Sequence, residues 1–171
     1  MWSLGVTAAE ATIGLPCFPG TGSKDMLIRH ERCLGQIPSW MFELSPKYGE
    51  FGVMRADGSW RISRLPGDKP PAPTTYLHGT KLVEILNPGD ESSQQLTAFI
   101  DLVSRMMSAD PYLRITPNVA LRHPFVTGDF SRGPIPVDTL SQPEARARKL
   151  AGIEMRRSQR PPVTVAGTKP C

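Results

Sequence analysis

A proline- and glycine-rich run, roughly Gln36 to Asp90, divides this sequence into two regions of helical periodicity. Irregular stretches of that length are uncommon inside a compact domain. The packed part of the chain is therefore expected to be well short of its 171 residues, and the 18 prolines and 15 glycines point the same way. Within the run one short hairpin is expected, with Asp57-Gly58 turning between Phe51–Met54 and Trp60–Ile62. Leu65 to Thr75 holds four prolines and reads as a loop.

Before the run, Trp2, Val6, Ala9 and Ile13 fall on one face of a helix over Met1 to Ile13. Gly14 fits its C′ position and Pro16 blocks continuation. Ser23 is expected to cap a second helix, Lys24 to Leu34, closed by Gly35. After the run comes the strongest signal. Leu96, Phe99, Ile100, Val103, Met106 and Met107 keep the i, i+3, i+4 pattern without a miss. Ser92 and Gln95 have capping-box spacing ahead of it. Asp110-Pro111 ends that helix, and a short one follows with Thr116 as N-cap and Pro117 at N1, running to about Arg122. Beyond Phe125 apolar content falls, and Leu150, Ile153 and Met155 support only a weak helix, roughly Glu144 to Arg157.

Charge is concentrated in that last segment. From Pro143 onward Arg146, Arg148, Lys149, Arg156, Arg157, Arg160 and Lys169 stand against Glu144 and Glu154, an excess of +5 within a chain whose net charge is +4. The pI of 9.2 describes a basic tail rather than a basic domain, and nucleic-acid binding by the whole chain is not expected. The tail has too few apolar residues to offset its ordering entropy and is expected to be mostly mobile. No apolar run approaches the ~20 residues of a membrane-spanning helix. Three cysteines, Cys17, Cys33 and Cys171, at irregular spacing argue against a disulfide scaffold. They suit a reducing, intracellular setting, nucleus or cytoplasm.

Motifs that carry chemistry are scarce. Phe18-Pro-Gly-Thr-Gly-Ser-Lys24 looks superficially like a phosphate loop, but Ser23 separates Gly22 from Lys24 and no strand precedes. His30 and Cys33 lie one turn apart, yet two ligands do not make a structural zinc site. Cys17 has no partnered base and reads as a small core hydrophobe. No catalytic, cofactor-binding or metal residue is assigned.

Two stretches resemble a known family. Trp2-Ser3-Leu4-Gly5, with Glu10, Gly14 and Pro16-Cys17-Phe18-Pro19-Gly20, resembles the segment of protein kinases where a Trp-Ser-x-Gly motif opens the long buried helix of the C-terminal lobe. Asp101-Leu102-Val103, Met106-Met107, Asp110-Pro111-x-x-Arg114-Ile115-Thr116-Pro117 and Ala120-Leu121-Arg122-His123-Pro124-Phe125 resemble the end of the same fold. A CMGC-type insert would account for residues 36–90. Asp25 to Arg29, Leu34 to Met41 and Asp57 to Ile62 are similar to the dual-specificity tyrosine-regulated, Yak-like kinases.

The resemblance implies a mainly α architecture. Residues 1–126 would be a partial kinase domain with the insert 36–90 inside it, and 127–171 a largely disordered Pro/Arg-rich tail. It marks Trp2, Gly5, Asp110, Arg114, His123, Pro124 and Phe125 as structural kinase-motif residues. At the level of the full-length protein it implies a serine/threonine or dual-specificity kinase using Mg-ATP, with protein substrates or docking partners and no membrane. The Gly-rich loop, ATP-anchoring Lys, catalytic Asp and Asn, and Asp-Phe-Gly lie upstream of Trp-Ser-x-Gly in the family. None is in this sequence, so the chain as written is expected to be inactive and to lack the upstream part of its own domain. The motif's leading Asp is also absent, because Met1 stands directly after its place; a record starting at an internal methionine is the simplest explanation. The alternative is a non-catalytic helical interaction module or pseudokinase remnant.

In the family Arg114 would pair, buried, with a Glu upstream. Breaking such a pair typically costs about 3–5 kcal/mol. The first helix would also expose an apolar face. Both effects predict a marginally stable chain.

Overall fold

The computed structural model describes residues 1–20, 22–45, 48–63, 81–87, 89, 93–131 and 143–158. Helix α1 spans Trp2–Ile13 and ends as its sequence requires: Gly14 takes the left-handed conformation at φ 72° and donates to the Glu10 carbonyl. Helix α2 spans Ser23–Leu34. Its N-cap is Gly22 in extended backbone, one residue before the expected Ser23, and Ser23 makes no capping bond. The longest helix of the core, α6, spans Gln94–Met106. Its cap is Ser93, whose hydroxyl accepts from the Leu96 N–H at 3.1 Å; Ser92, the expected cap, lies outside the described residues. Two one-turn helices follow, α7 at Pro117–Ala120 with Pro117 at N1, and α8 at Pro124–Thr127.

The main core forms where α1 crosses α6. Ala9, Val103 and Met107 are buried there with Cys17 and Phe18 of the connecting loop. The crossing is close because Gly5 lacks a side chain: a Cβ built on it would sit 2.8 Å from Met106 Cβ and 2.8 Å from Met107 Cγ. A second cluster joins Leu102 and Met106 of α6 to Ile115, Val119 and Ala120, with Met1 and Phe125 packed on its edge.

The Pro-rich run is more ordered than its composition implies. It contains α3 (Ser39–Leu44), α4 (Tyr48–Phe51), the strands β1 (Gly52–Met54) and β2 (Trp60–Ile62), and α5 (Leu82–Leu86). The strands pair antiparallel with Val53 opposite Arg61. The expected turn holds them: Gly58 takes φ 78°, and Asp57 Oδ1 accepts from the Ser59 N–H at 2.8 Å. Alternation puts Trp60 and Ile62 inward, where they form a third cluster with Phe42, Ile37 and Ile28. Ile28 belongs to α2, which thus serves two cores, Met26, Cys33 and Leu34 facing the first and Leu27 and Ile28 the third. Helix α5 joins the main core outright through Leu82, Ile85 and Leu86, so this end of the run is part of the domain's centre rather than an irregular excursion. Its start is fixed by Glu84, whose carboxylate accepts the Lys81 N–H at 3.1 Å. The proline loop Leu65 to Thr75 lies outside the described residues.

Residues Pro143–Ser158 form a full helix, α9, packed against α3. Ile153 is buried while Met155 is exposed. The helix coincides with the weak one expected over roughly Glu144 to Arg157; residues 132–142 and 159–171 lie outside the described set. No helix among the described residues is long and apolar enough to cross a membrane.

Candidate functional site

The motif residues converge on the C-terminal half of α6 and the start of α1. Trp2 is the junction. Its indole lies 6.5 Å from the Phe18 ring in a stacked arrangement and 5.3 Å from His30 edge-on, while Phe18 and His30 meet at 4.4 Å. Across the Trp2 ring lies the Arg114 guanidinium, 5.1 Å from the ring centroid. One side chain thus ties together α1, the Phe-Pro-Gly loop, α2 and the Asp-Pro-x-x-Arg turn. That loop is also pinned by Glu10, whose Oε1 accepts the Cys17 N–H at 3.0 Å.

Arg114 is not a free surface charge, and among the described residues it is not paired with a carboxylate. Its Nε and Nη2 donate together to the Ser108 carbonyl, at 3.1 and 3.0 Å. Burial pushes its pKa down and Asp110 acts in the opposite direction. Arg114→Lys is expected to destabilise by about 1 kcal/mol, because an ammonium cannot make the forked bond and stacks less well. Urea melts of the two proteins check this, and an unchanged midpoint would show that the fork is dispensable.

Asp110 is buried, at 3% exposure. Its Oδ1 accepts the Tyr112 N–H at 2.9 Å, which closes the turn after α6. Its Oδ2 accepts the Trp40 indole N–H at 3.4 Å, and the Trp40 ring lies 5.7 Å from Tyr112. Trp40 sits in α3, so this contact anchors the Pro-rich run to the motif cluster. Sequence reasoning did not assign Trp40 a role; an indole in a Pro-rich stretch is the signal that could have flagged it.

His123 is almost wholly buried and caps α8, with Nδ1 accepting the Phe125 N–H at 3.3 Å. That bond makes Nδ1 the acceptor, so Nε2 carries the hydrogen and donates to Asp101 Oδ2 at 3.0 Å. Asp101 is also gripped by Arg105 Nε at 2.8 Å. The sequence ends the preceding helix at about Arg122; the structure makes His123 the start of another, locked to α6. Pro124 follows at N1 and is buried, and Phe125 meets Phe99 at 5.1 Å.

The groups weighed for chemistry are inert here. Burial pushes the Cys17 thiol up to about 11, with Glu10 adding to the effect, and the Cys33 thiol up to about 12, with Cys17 adding to it. Both are neutral core groups near pH 7. Among the described residues no three His, Cys, Asp or Glu side chains are placed to hold a metal. The His30 pKa is lowered by burial from its ordinary 6.5, so the fold favours the neutral ring. Stability from this source is present above 6.5 and is lost as pH falls through the depressed native value, because the unfolded chain protonates first. His30→Phe is expected to flatten the decline in thermal midpoint between about pH 7 and 5. An equal decline in both proteins would place the sensitivity elsewhere.

No family-level sequence profile matches the chain. Individual proteins do. The chain is 32% identical over 147 residues to serine/threonine-protein kinase ppk15 of Schizosaccharomyces pombe, covering 75% of this chain and 28% of that protein. It is 27% identical over 155 residues to dual specificity protein kinase YAK1 of Saccharomyces cerevisiae, covering 74% and 19%. It is 32% identical over 127 residues to dual specificity protein kinase CLK4 of Mus musculus, covering 73% and 24%. The helical fold and the alignments together define a piece of a protein kinase, its C-terminal lobe. Within that class the chain is of the CMGC type and similar to the Yak-like kinases. It spans between about a fifth and somewhat over a quarter of the length of these relatives.

Proposed function

We propose that this chain is the structural base of a serine/threonine or dual-specificity protein kinase, and that Mg-ATP binding and phosphoryl transfer to protein substrates belong to the longer protein. The observation that supports this most is the Trp2–Arg114 junction. It unites the two motif stretches, far apart in sequence, around one indole, while among the described residues no group of His, Cys, Asp or Glu is placed to hold a magnesium ion. Its part in the reaction is positional: α1 carries a neutral outer face, with Leu4, Thr7 and Ala11 exposed, on which further elements of a kinase domain would rest.

The test has two arms. The purified 171-residue chain, titrated calorimetrically with Mg-ATP, should show no saturable binding at micromolar concentration and should transfer no phosphate to a generic protein substrate. The product of the gene with its upstream coding sequence should phosphorylate the same substrate. Saturable binding by the chain alone, or inactivity of the longer product, would overturn the proposal and favour a non-catalytic interaction module.

A further inference from the structure

A cavity lies outside the kinase reading. It opens between the last turn of α2, the start of α5 and the C-terminal end of α6, with a volume of about 360 Å³. That is near the lower end of the usual range for ligand sites, roughly 300–1,000 Å³. Leu34, half-buried, gives its accessible apolar wall, with the buried Leu82 and Met107 of the main core behind it. Val83, 50% exposed, extends the apolar surface outward. Two cations line the same space from different elements, Arg32 on α2 and Lys81 ahead of α5. Neither side chain makes an ion pair among the described residues. The nearby Glu84 carboxylate is engaged by the Lys81 backbone N–H and is not part of the lining. The Cys33 thiol in the wall is neutral, so every charge that lines the cavity is positive.

We propose that this groove is a docking site for an acidic peptide segment of a partner protein, seating an aliphatic side chain against Leu34 and Val83 while neighbouring Asp or Glu carboxylates meet Arg32 and Lys81. Charge complementarity selects the occupant. A basic segment would bring like charges together, and a neutral one would cover two cations without replacing their water. An isolated anion would leave the apolar wall wet. A peptide with alternating aliphatic and acidic residues satisfies both surfaces at once. The site is distinct from phosphoryl transfer, and its binding is read on this chain alone, so failure here leaves the kinase reading standing and the reverse also holds.

The probe is a fluorescein-labelled peptide of repeated Leu-Glu-Asp, followed by anisotropy on the full 171-residue chain. Saturable binding is expected, weakened by added salt. The double variant R32E/K81E should lose about tenfold or more in affinity, as should the peptide with Ser in place of Leu. Amide NMR shifts on adding the peptide should map to residues 32–35, 81–83 and 104–108. The double variant should keep the thermal midpoint of the parent, since neither side chain is part of a core. Absence of binding, binding that R32E/K81E leaves intact, or shifts that map to the basic helix α9 would each overturn the proposal.

Discussion

Trp2→Ala should be the most damaging single truncation in this chain, lowering unfolding free energy by about 3 kcal/mol or more. The side chain is only half buried, which would ordinarily place the cost lower. Its contacts are what raise it. The indole stacks with Phe18, meets His30 edge-on and carries the Arg114 guanidinium. Truncation opens a gap under all three and removes the ring face that compensates a partly desolvated cation. A domain has only about 5–15 kcal/mol of net stability, so the loss is a large share of the total. Trp2→Phe keeps an aromatic face and should recover a substantial part of it. Urea denaturation of the three proteins at one pH measures the effect. A Trp2→Ala midpoint close to the parent's would mean that the junction contributes little and that the cores stand independently of it.

Gly5→Val is the second large effect, expected at about 3 kcal/mol or more. Even Ala at this position should cost about 1–3 kcal/mol, the usual range for overpacking. The reason is geometric. The added Cβ meets Met106 Cβ at 2.8 Å, and that atom is fixed to the α6 backbone. Met107 Cγ is equally close, and Met107 is fully buried. Relief therefore requires α1 and α6 to separate, which would loosen the packing of Ala9 and Val103 along the same interface. Thermal melts of Gly5→Ala and Gly5→Val should fall in that order. If Gly5→Ala matched or exceeded the parent, the gain in helix propensity, worth up to about 1 kcal/mol, would have outweighed the clash. The crossing would then be looser than these distances indicate.

Stability of the chain alone follows from these contacts. The expected penalty of an unpaired, buried arginine is softened, because Arg114 finds the Ser108 carbonyl and the Trp2 ring instead of a carboxylate. Arg114→Met would strip that carbonyl of its two donors, so it should destabilise rather than be neutral. The exposed face of α1 remains, with Leu4 at 56% exposure, and is where association of the isolated chain is expected to begin.

Local rules were enough for much of this. The α1 helix and its left-handed Gly14, the Asp57-Gly58 hairpin, the α6 periodicity and Pro117 at N1 are each set by residues within a few positions of one another, and their spacing is visible in the sequence. The motif signature was legible for the same reason: its residues lie in two short blocks. What joins the blocks was not. The Trp40 bond to Asp110 spans 70 positions and the His123 bond to Asp101 spans 22, and no period in the sequence records such a pairing. Helix α5 is too short to show amphipathic spacing, so its place in the main core depends on α1 and α6 already being there to receive Leu82 and Ile85. Helix α9 was legible as a weak helix, but its contact with α3, and that Ile153 rather than Met155 is the buried residue, were not. Propensity and periodicity fixed the elements of this protein; the partners those elements chose depended on burial that exists only once the chain has closed on itself.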